Sequence, residues 1–457
     1  MTEPPSKSPT IDPRCLEELC CKSMEHARVP GLALAVVHRG NVVYARGFGV
    51  TSVECGTSVT VDTLFRTGST TKPLIGTMIM RLVDSGLLEL DRPAKRYVPW
   101  LTLSWPAAED EITLRMLLSH TSGLPTEFAP HGSQDPAALE SSLREELPRY
   151  RFVAPPGKFW SYSNVGIRLA AHIVEIVTGE LLPRLMERLV FEPLEMRRTT
   201  FDPLMAMTYP LALPHEVDDD GRLRVARPLT NNAARLAAGG AFSSALDMAN
   251  FAKLHLMRGR FGGQQLVSSE SIAQMHRPQA NKYTLHEDFY GLTLESDLAN
   301  GIQRIGHPGN FPPYGCRLTM VVDEGIAVIL LVSRATEFSK SATAIVDSIL
   351  LQLLQRQIEP SPPSAHISES GLWQRITGRY FDHIGNSAQL SVIDGNLHAT
   401  LDDGSCSLDC YRSNLYCGKP KNSDRLIVFG FPESCQEQLE YIIVNNRPFR
   451  REASETL

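Results

Sequence analysis

The sequence predicts an α+β fold: an antiparallel sheet flanked by helices, with an inserted all-helical subdomain, followed by a small C-terminal β-barrel. Three observations predict it. Strand-like runs open the chain, give way to helix and loop, and return late before another helix. That order suits a sheet that holds both ends of one unit with helices inserted between them. A proline–serine stretch, Glu359 to Ala365, then marks a linker. Beyond it, short apolar runs at regular spacing indicate a small barrel or sandwich. The chain has 457 residues, 42% of them hydrophobic and 21% charged, enough for two globular units.

Each element has its own signal. Leu16 to Ala27 reads as a short helix. Leu32 to His38 and Val42 to Ala45 read as strands of a hairpin, with Arg39-Gly40-Asn41 as the turn. From Ser69 to Asp84 the apolar residues Leu74, Ile75, Met78 and Leu82 share one helical face, and Gly86 stands where a C-cap belongs. Leu114 to Ser119, Val165 to Val177 and Ala245 to Met257 follow as helices. Strands return at Arg317 to Val322 and Ala327 to Val332, around the turn Asp323-Glu324-Gly325, and Ala342 to Leu354 is helical. After the linker, strands are expected near Gly378, Leu390, Leu397, Leu426 and Leu439, with Asp394-Gly395-Asn396 as a hairpin turn. The expected boundaries are a polar leader over 1–14, a first unit over 15–357, a linker over 358–370 and a barrel over 371–457.

Bulk properties exclude some functions. A net charge of −6 offers no basic face for nucleic acid. Residues 1–11, MTEPPSKSPTI, lack the basic start and apolar run of a signal peptide, and the run Leu32 to Val37 is too short to span a bilayer. The expectation is a cytoplasmic protein with no membrane partner. Nine cysteines at scattered positions make a poor disulfide framework. Cys406, Cys410 and Cys417, with His398 nearby, have the wrong spacing for zinc, so no metal and no cofactor are expected.

Three short motifs carry chemistry. Ser69-Thr-Thr-Lys72 at a helix start puts a hydroxyl and an amine on one face, one turn apart. A serine becomes a nucleophile when a base takes its proton, and a lysine can serve once burial makes it neutral. Tyr162-Ser-Asn164 follows the loop Pro155-Pro156-Gly157 and precedes a helix; its phenol can relay a proton and its amide can bond lysine and substrate. His307-Pro-Gly309 precedes a strand, on what reads as an edge strand, since proline suits an edge. Gly309 would let a substrate backbone approach closely. The backbone N–H groups of Ser69 and Asn310 would form an oxyanion hole. Trp160, Phe311 and Tyr314 flank the second and third motifs and are candidates for lining an acyl pocket. His120, in Leu117-Leu-Ser-His-Thr-Ser-Gly-Leu124, reads as a residue that fixes its loop.

Together, in this order, the motifs resemble the serine β-lactamase and penicillin-binding-protein family, including its class C-type esterases, D-aminopeptidases and acyltransferases. Phe65-Arg-Thr-Gly-Ser-Thr-Thr-Lys72 is similar to the family's Ser-x-x-Lys segment, Tyr162-Ser-Asn164 to its Tyr-x-Asn element, and His307-Pro-Gly309 to its Lys-Thr-Gly or His-x-Gly strand. Leu117 to Leu124 and Ala238-Gly-Gly-Ala-Phe-Ser-Ser244 also match in place. The resemblance implies that Ser69 is acylated and that Lys72 and Tyr162 share the base duty. Asn164 would position lysine and substrate, and His307 would orient Tyr162 and help protonate the leaving group. His307-Pro308 in place of Lys-Thr turns the expectation from β-lactams towards esters, amides and peptides. The C-terminal unit resembles, in layout, the lipocalin-like barrel that follows this catalytic domain in some relatives. The expected function is a serine hydrolase of a small ester, amide or peptide, with a carrier-bound acyl chain among the candidate substrates. Alternatives are an acyltransferase or peptide cyclase using the same acyl-enzyme, and a non-catalytic assembly protein on this scaffold. The sequence does not set an oligomeric state.

Overall fold

The computed structural model describes residues 11–285, 288–299, 301–355, 373, 375–402, 404–412, 415–420, 426–432 and 439–452. The expected linker at 358–370 and most of the leader lie outside them.

The first element, α1 (Pro13–His26), starts three residues before the expected Leu16. Asp12 caps it, accepting from the N–H groups of Arg14 and Cys15, and Pro13 occupies the first turn, where no N–H is needed. The strands β1 (Gly31–His38) and β2 (Asn41–Gly49) form the expected hairpin. Arg39 and Gly40 both have positive φ, as a tight two-residue turn requires. The strands β3 (Ala280–Asn281), β4 (Phe289–Tyr290), β5 (Glu295–Ala299), β6 (Ile302–Phe311), β7 (Tyr314–Val321) and β8 (Ile326–Val332) complete an eight-stranded sheet of order β2-β1-β8-β7-β6-β5-β4-β3. All its neighbouring strands are antiparallel.

Both faces of the sheet are covered, which explains the unbroken apolar run in β1. Leu32, Leu34 and Val36 face a core shared with α1 and the helix Ser339–Leu354. Ala33, Ala35 and Val37 face the larger core, which includes α2 (Thr71–Asp84), α3 (Leu114–Leu118), α4 (Asn164–Thr178) and α5 (Ala245–Leu256). The helices between β2 and β3 are the inserted helical region. Ser339–Leu354 is α6.

The C-terminal strands are β9 (Gly378–Phe381), β10 (Ser387–Ile393), β11 (Asn396–Leu401), β12 (Gly404–Ser407), β13 (Asp409–Arg412), β14 (Leu415–Gly418), β15 (Ile427–Gly430), β16 (Tyr441–Val444) and β17 (Arg447–Arg451). Their order is β12-β11-β10-β9-β17-β16-β15-β14-β13. The two end strands, β12 and β13, are consecutive in the chain. A Cβ on Gly418 of β14 would come within 2.4 Å of the Ser407 carbonyl, so the sheet curls nearly closed into a barrel around its own core. Among the described residues no helix is long and apolar enough to cross a membrane.

The third motif differs from expectation. His307-Pro-Gly309 does not precede a strand; it lies inside the ten-residue β6. Nor is β6 an edge strand along its whole length. Its partner β5 ends at Glu295, opposite Gly306, and from His307 to Phe311 it pairs with β7 alone. Pro308 therefore sits where the sheet has just become an edge, and its missing N–H leaves no ladder bond unmade on that side.

Candidate active site

Ser69 lies in a single 3₁₀ turn, Gly68–Thr70, that runs directly into α2. Gly68 has φ +54, and a Cβ there would come within 2.8 Å of the Asn310 backbone. Between Thr63 and Met80, Ser69 is the one residue not fully buried. The chain thus delivers one hydroxyl to the surface from an otherwise buried segment.

Two groups hold that hydroxyl. Lys72 Nζ lies 3.1 Å from Ser69 Oγ, and the Tyr162 hydroxyl donates to Ser69 Oγ at 2.7 Å. Lys72 is fully buried, also donates to the Ala238 carbonyl at 2.6 Å, and sits over the Tyr162 ring at 4.7 Å. Among the described residues no carboxylate pairs with it. Burial pushes its ammonium pKa well below the usual lysine range. Burial pushes the Tyr162 phenol up. Both shifts favour the uncharged forms. A neutral Lys72 can accept the Ser69 proton while donating to Ala238, and Tyr162 keeps its own proton.

His120 holds the Tyr162 turn in place. Its backbone has φ +58, its carbonyl accepts from the Ser161 N–H at 2.8 Å, and its Nδ1 accepts from the Ser163 N–H at 3.1 Å. Its ring packs on Tyr162 with centroids 4.4 Å apart. Since an amide N–H can only donate, the His120 proton is on Nε2, which is buried with no partner among the described residues.

Asn164 and His307 depart from their expected roles. Asn164 does not bond Lys72; its amide nitrogen donates to the Glu127 carbonyl at 2.8 Å and to Thr126 Oγ1 at 3.3 Å. Its Oδ1 is buried without a partner among the described residues. Ser163 caps α4, accepting from the Gly166 N–H at 2.9 Å. His307 does not hydrogen-bond Tyr162; their ring centroids are 6.3 Å apart. Its Nδ1 lies 2.5 Å from the Pro308 carbonyl, which can only accept, so Nδ1 carries the proton. Its Nε2, 3.0 Å from the Tyr290 hydroxyl, must then accept from Tyr290. Burial pushes the imidazole down to about 4, which keeps it neutral.

Gly309 serves a close approach, but from within the protein. A Cβ there would lie 2.0 Å from the Thr67 carbonyl and 2.6 Å from Thr70 Oγ1, so β6 lies directly on the turn that carries Ser69. Ser69, Tyr162, His307, Gly309 and Asn310 line one cavity of about 360 Å³. Glu295 and Arg317 line it too, and sequence reading singled out neither. Burial would raise the Glu295 carboxyl, but Lys282, 3.1 Å away, together with His307 and Arg317 outweighs it and holds the carboxyl below the usual range. Tyr290, also missed, is 17 residues from His307 in sequence, on a strand too short to signal itself.

The three pocket candidates separate. Trp160 packs against Tyr162 and Tyr290 at centroid distances of 6.3 and 5.9 Å. Phe311, at the end of β6, is buried and is not among the residues lining that cavity. Tyr314 does not line the cavity: it is core, its hydroxyl donating to the Ala212 carbonyl at 2.7 Å.

Comparisons with known proteins place the family and the fold. The sequence profile of the β-lactamase family matches residues 16–350. The chain is 26% identical over 366 residues to the unguisins hydrolase of Aspergillus campestris, covering 76% of this chain and 65% of that protein, just under two thirds of its length. It is 28% identical over 316 residues to penicillin-binding protein 4 of Amycolatopsis lactamdurans, covering 67% and 81% of the two chains. The octameric penicillin-binding protein homologue from Pyrococcus abyssi shares the fold, with a TM-score of 0.68 at 23% identity over 96% of this chain and 100% of that one. With its profile match spanning most of its length, the chain belongs to the β-lactamase family.

Proposed function

We propose that the protein is a serine hydrolase that cleaves an ester or amide bond through an acyl-enzyme on Ser69. One observation carries this reading: Ser69 Oγ is held between a buried Lys72, with no counter-charge among the described residues, and the Tyr162 hydroxyl, at 3.1 and 2.7 Å. Lys72 takes the Ser69 proton as Oγ attacks the carbonyl carbon. The backbone N–H groups of Ser69 and Asn310 receive the developing oxyanion. The carbon–leaving-group bond breaks as Tyr162 passes its proton to the departing oxygen or nitrogen and is reprotonated from Lys72. Water then attacks the ester on Ser69 as Lys72 takes its proton, and Lys72 returns that proton to Ser69 Oγ as the acyl–oxygen bond breaks, releasing the acid and free Ser69. The Oδ1 of Asn164, without a partner among the described residues, is left to accept a substrate N–H. Ser69 reaches solvent, which favours water over another acceptor.

Intact mass spectrometry with a fluorophosphonate tests the reading. A single adduct is expected on the native protein and none on Ser69→Ala. An unlabelled native protein overturns it. Adding alcohols or amines to a pre-formed acyl-enzyme separates hydrolysis from acyl transfer: a new ester or amide product identifies a transferase.

A further inference from the structure

A larger cavity lies apart from the one at Ser69 and shares no lining residue with it. It holds about 590 Å³ and borders the start of β6 and the end of β7, whereas Ser69 lies against the far end of β6. Ile272, Ile302, Ile305 and Val321 line it, each at most 8% exposed, and give it an apolar floor.

Its charges are of both signs and come from different elements. Arg258, just past α5, and Arg277, just past the helix Ser269–His276, supply the cations. Asp323 and Glu324, in the turn between β7 and β8, supply the anions. Arg277 faces Glu270 at 3.8 Å. Arg258 and Asp323 are exposed, and neither side chain has a partner among the described residues, although both border the one cavity. Opposite charges that share a cavity without meeting leave room for a ligand between them.

A further polar group reaches the cavity from inside the protein. His276 lines it and is held by a buried relay: its Nε2 lies 3.0 Å from His255 Nδ1, and His255 Nε2 lies 3.2 Å from Thr77 Oγ1. Burial pushes the His276 imidazole down to about 4, so the ring is neutral at pH 7. Its Nδ1 has no partner among the described residues. The protons of the relay can point in either sense, which makes Nδ1 an acceptor or a donor. A peptide group offers one of each and suits both.

We propose that this cavity is a binding site for a small zwitterion with an apolar body, of the class of a short apolar peptide. Its carboxylate meets Arg258, its ammonium meets Asp323, its side chains lie on the four aliphatic residues, and its peptide group meets His276. A ligand of single charge would find one attractive end and one repulsive end. A water takes about 30 Å³, so the cavity has the volume of about 20 waters, more than a single amino acid fills. The site is independent of the acyl-enzyme reading, since none of its residues borders Ser69.

Isothermal titration calorimetry at pH 7 with the dipeptide Leu-Leu tests the proposal. The parent is Ser69→Ala, so that the peptide is not consumed, and Arg258→Gln and Asp323→Asn are added to it one at a time. One saturable equivalent is expected on the parent. Each added substitution should weaken binding about five-fold, the scale of an exposed charge pair. On the parent, N-acetyl-Leu-Leu, which lacks the ammonium, and Leu-Leu amide, which lacks the carboxylate, should each bind weaker by the same factor. The amide should lose nothing further in Arg258→Gln, nor the acetylated peptide in Asp323→Asn, because each pair removes one and the same contact. No binding by the parent, binding that neither substitution weakens, or equal binding of the blocked peptides each overturns the proposal.

Discussion

At Ser69 the decisive residue is its neighbour, Lys72, whose charge is set by burial. A lysine with a carboxylate beside it would stay protonated and could not act as a base. Here desolvation acts unopposed. Replacing Lys72 by Met keeps the volume and removes the base. We expect kcat/KM on an activated ester to fall by about 10²–10⁴-fold. The unfolding midpoint should hold or rise, because an apolar chain replaces a buried amine. A parallel loss of stability would mean that Lys72 is structural. Ser69, Lys72 and Tyr162 were legible in the sequence because local spacing and motif order name them. The hydrogen-bond partners of Asn164 and His307 were not. Tyr290 reaches His307 from another strand, and the Glu127 carbonyl that takes Asn164 is 37 residues away.

At the scale of elements, the contact of β6 with the Ser69 turn places the candidate site. The hairpin β1–β2 and the helices α2 and α4 were readable from periodicity and turn residues. Most of β6 was not, because His-Pro-Gly-Asn is poor in the β-branched and aromatic residues that mark strands. What holds it there is the ladder to β7 and the close approach of Gly309 to Thr67 and Thr70. Gly309→Ala would place a methyl group 2.0 Å from the Thr67 carbonyl. We expect a loss of about 1–3 kcal/mol in chemical denaturation together with a fall in Ser69 labelling. Full stability in this variant would show that β6 can move off the turn without cost.

Across the whole molecule, the barrel joins the site through the loop that leads to Tyr162. Phe159 and Ala154 pack with Tyr441 and Ile443 of β16, and Lys158 lies 3.3 Å from Glu440. Charge burial also has a global consequence. His307 titrates at about 4 in the folded protein against 6.5 in its absence, and burial lowers His120 and His255 in the same direction. The depressed values mean that the unfolded chain binds protons first as pH falls. Stability from His307 is full above pH 6.5 and is lost towards pH 4, by about 3 kcal/mol. Denaturation at pH 7, 5.5 and 4 should show this slope, and His307→Gln should flatten it; equal slopes in both proteins would refute the assignment. The sequence by itself determined the Ser69–Lys72 spacing, the α+β order and the short-strand texture of the C-terminal unit, because each is written in local spacing and pattern. Tertiary structure alone decided that burial disfavours the charged form of Lys72, that His307 Nε2 accepts from Tyr290, and that β6 becomes an edge from His307 onward. Burial, tautomer and sheet edge all depend on what distant segments bring alongside, and no local pattern encodes that.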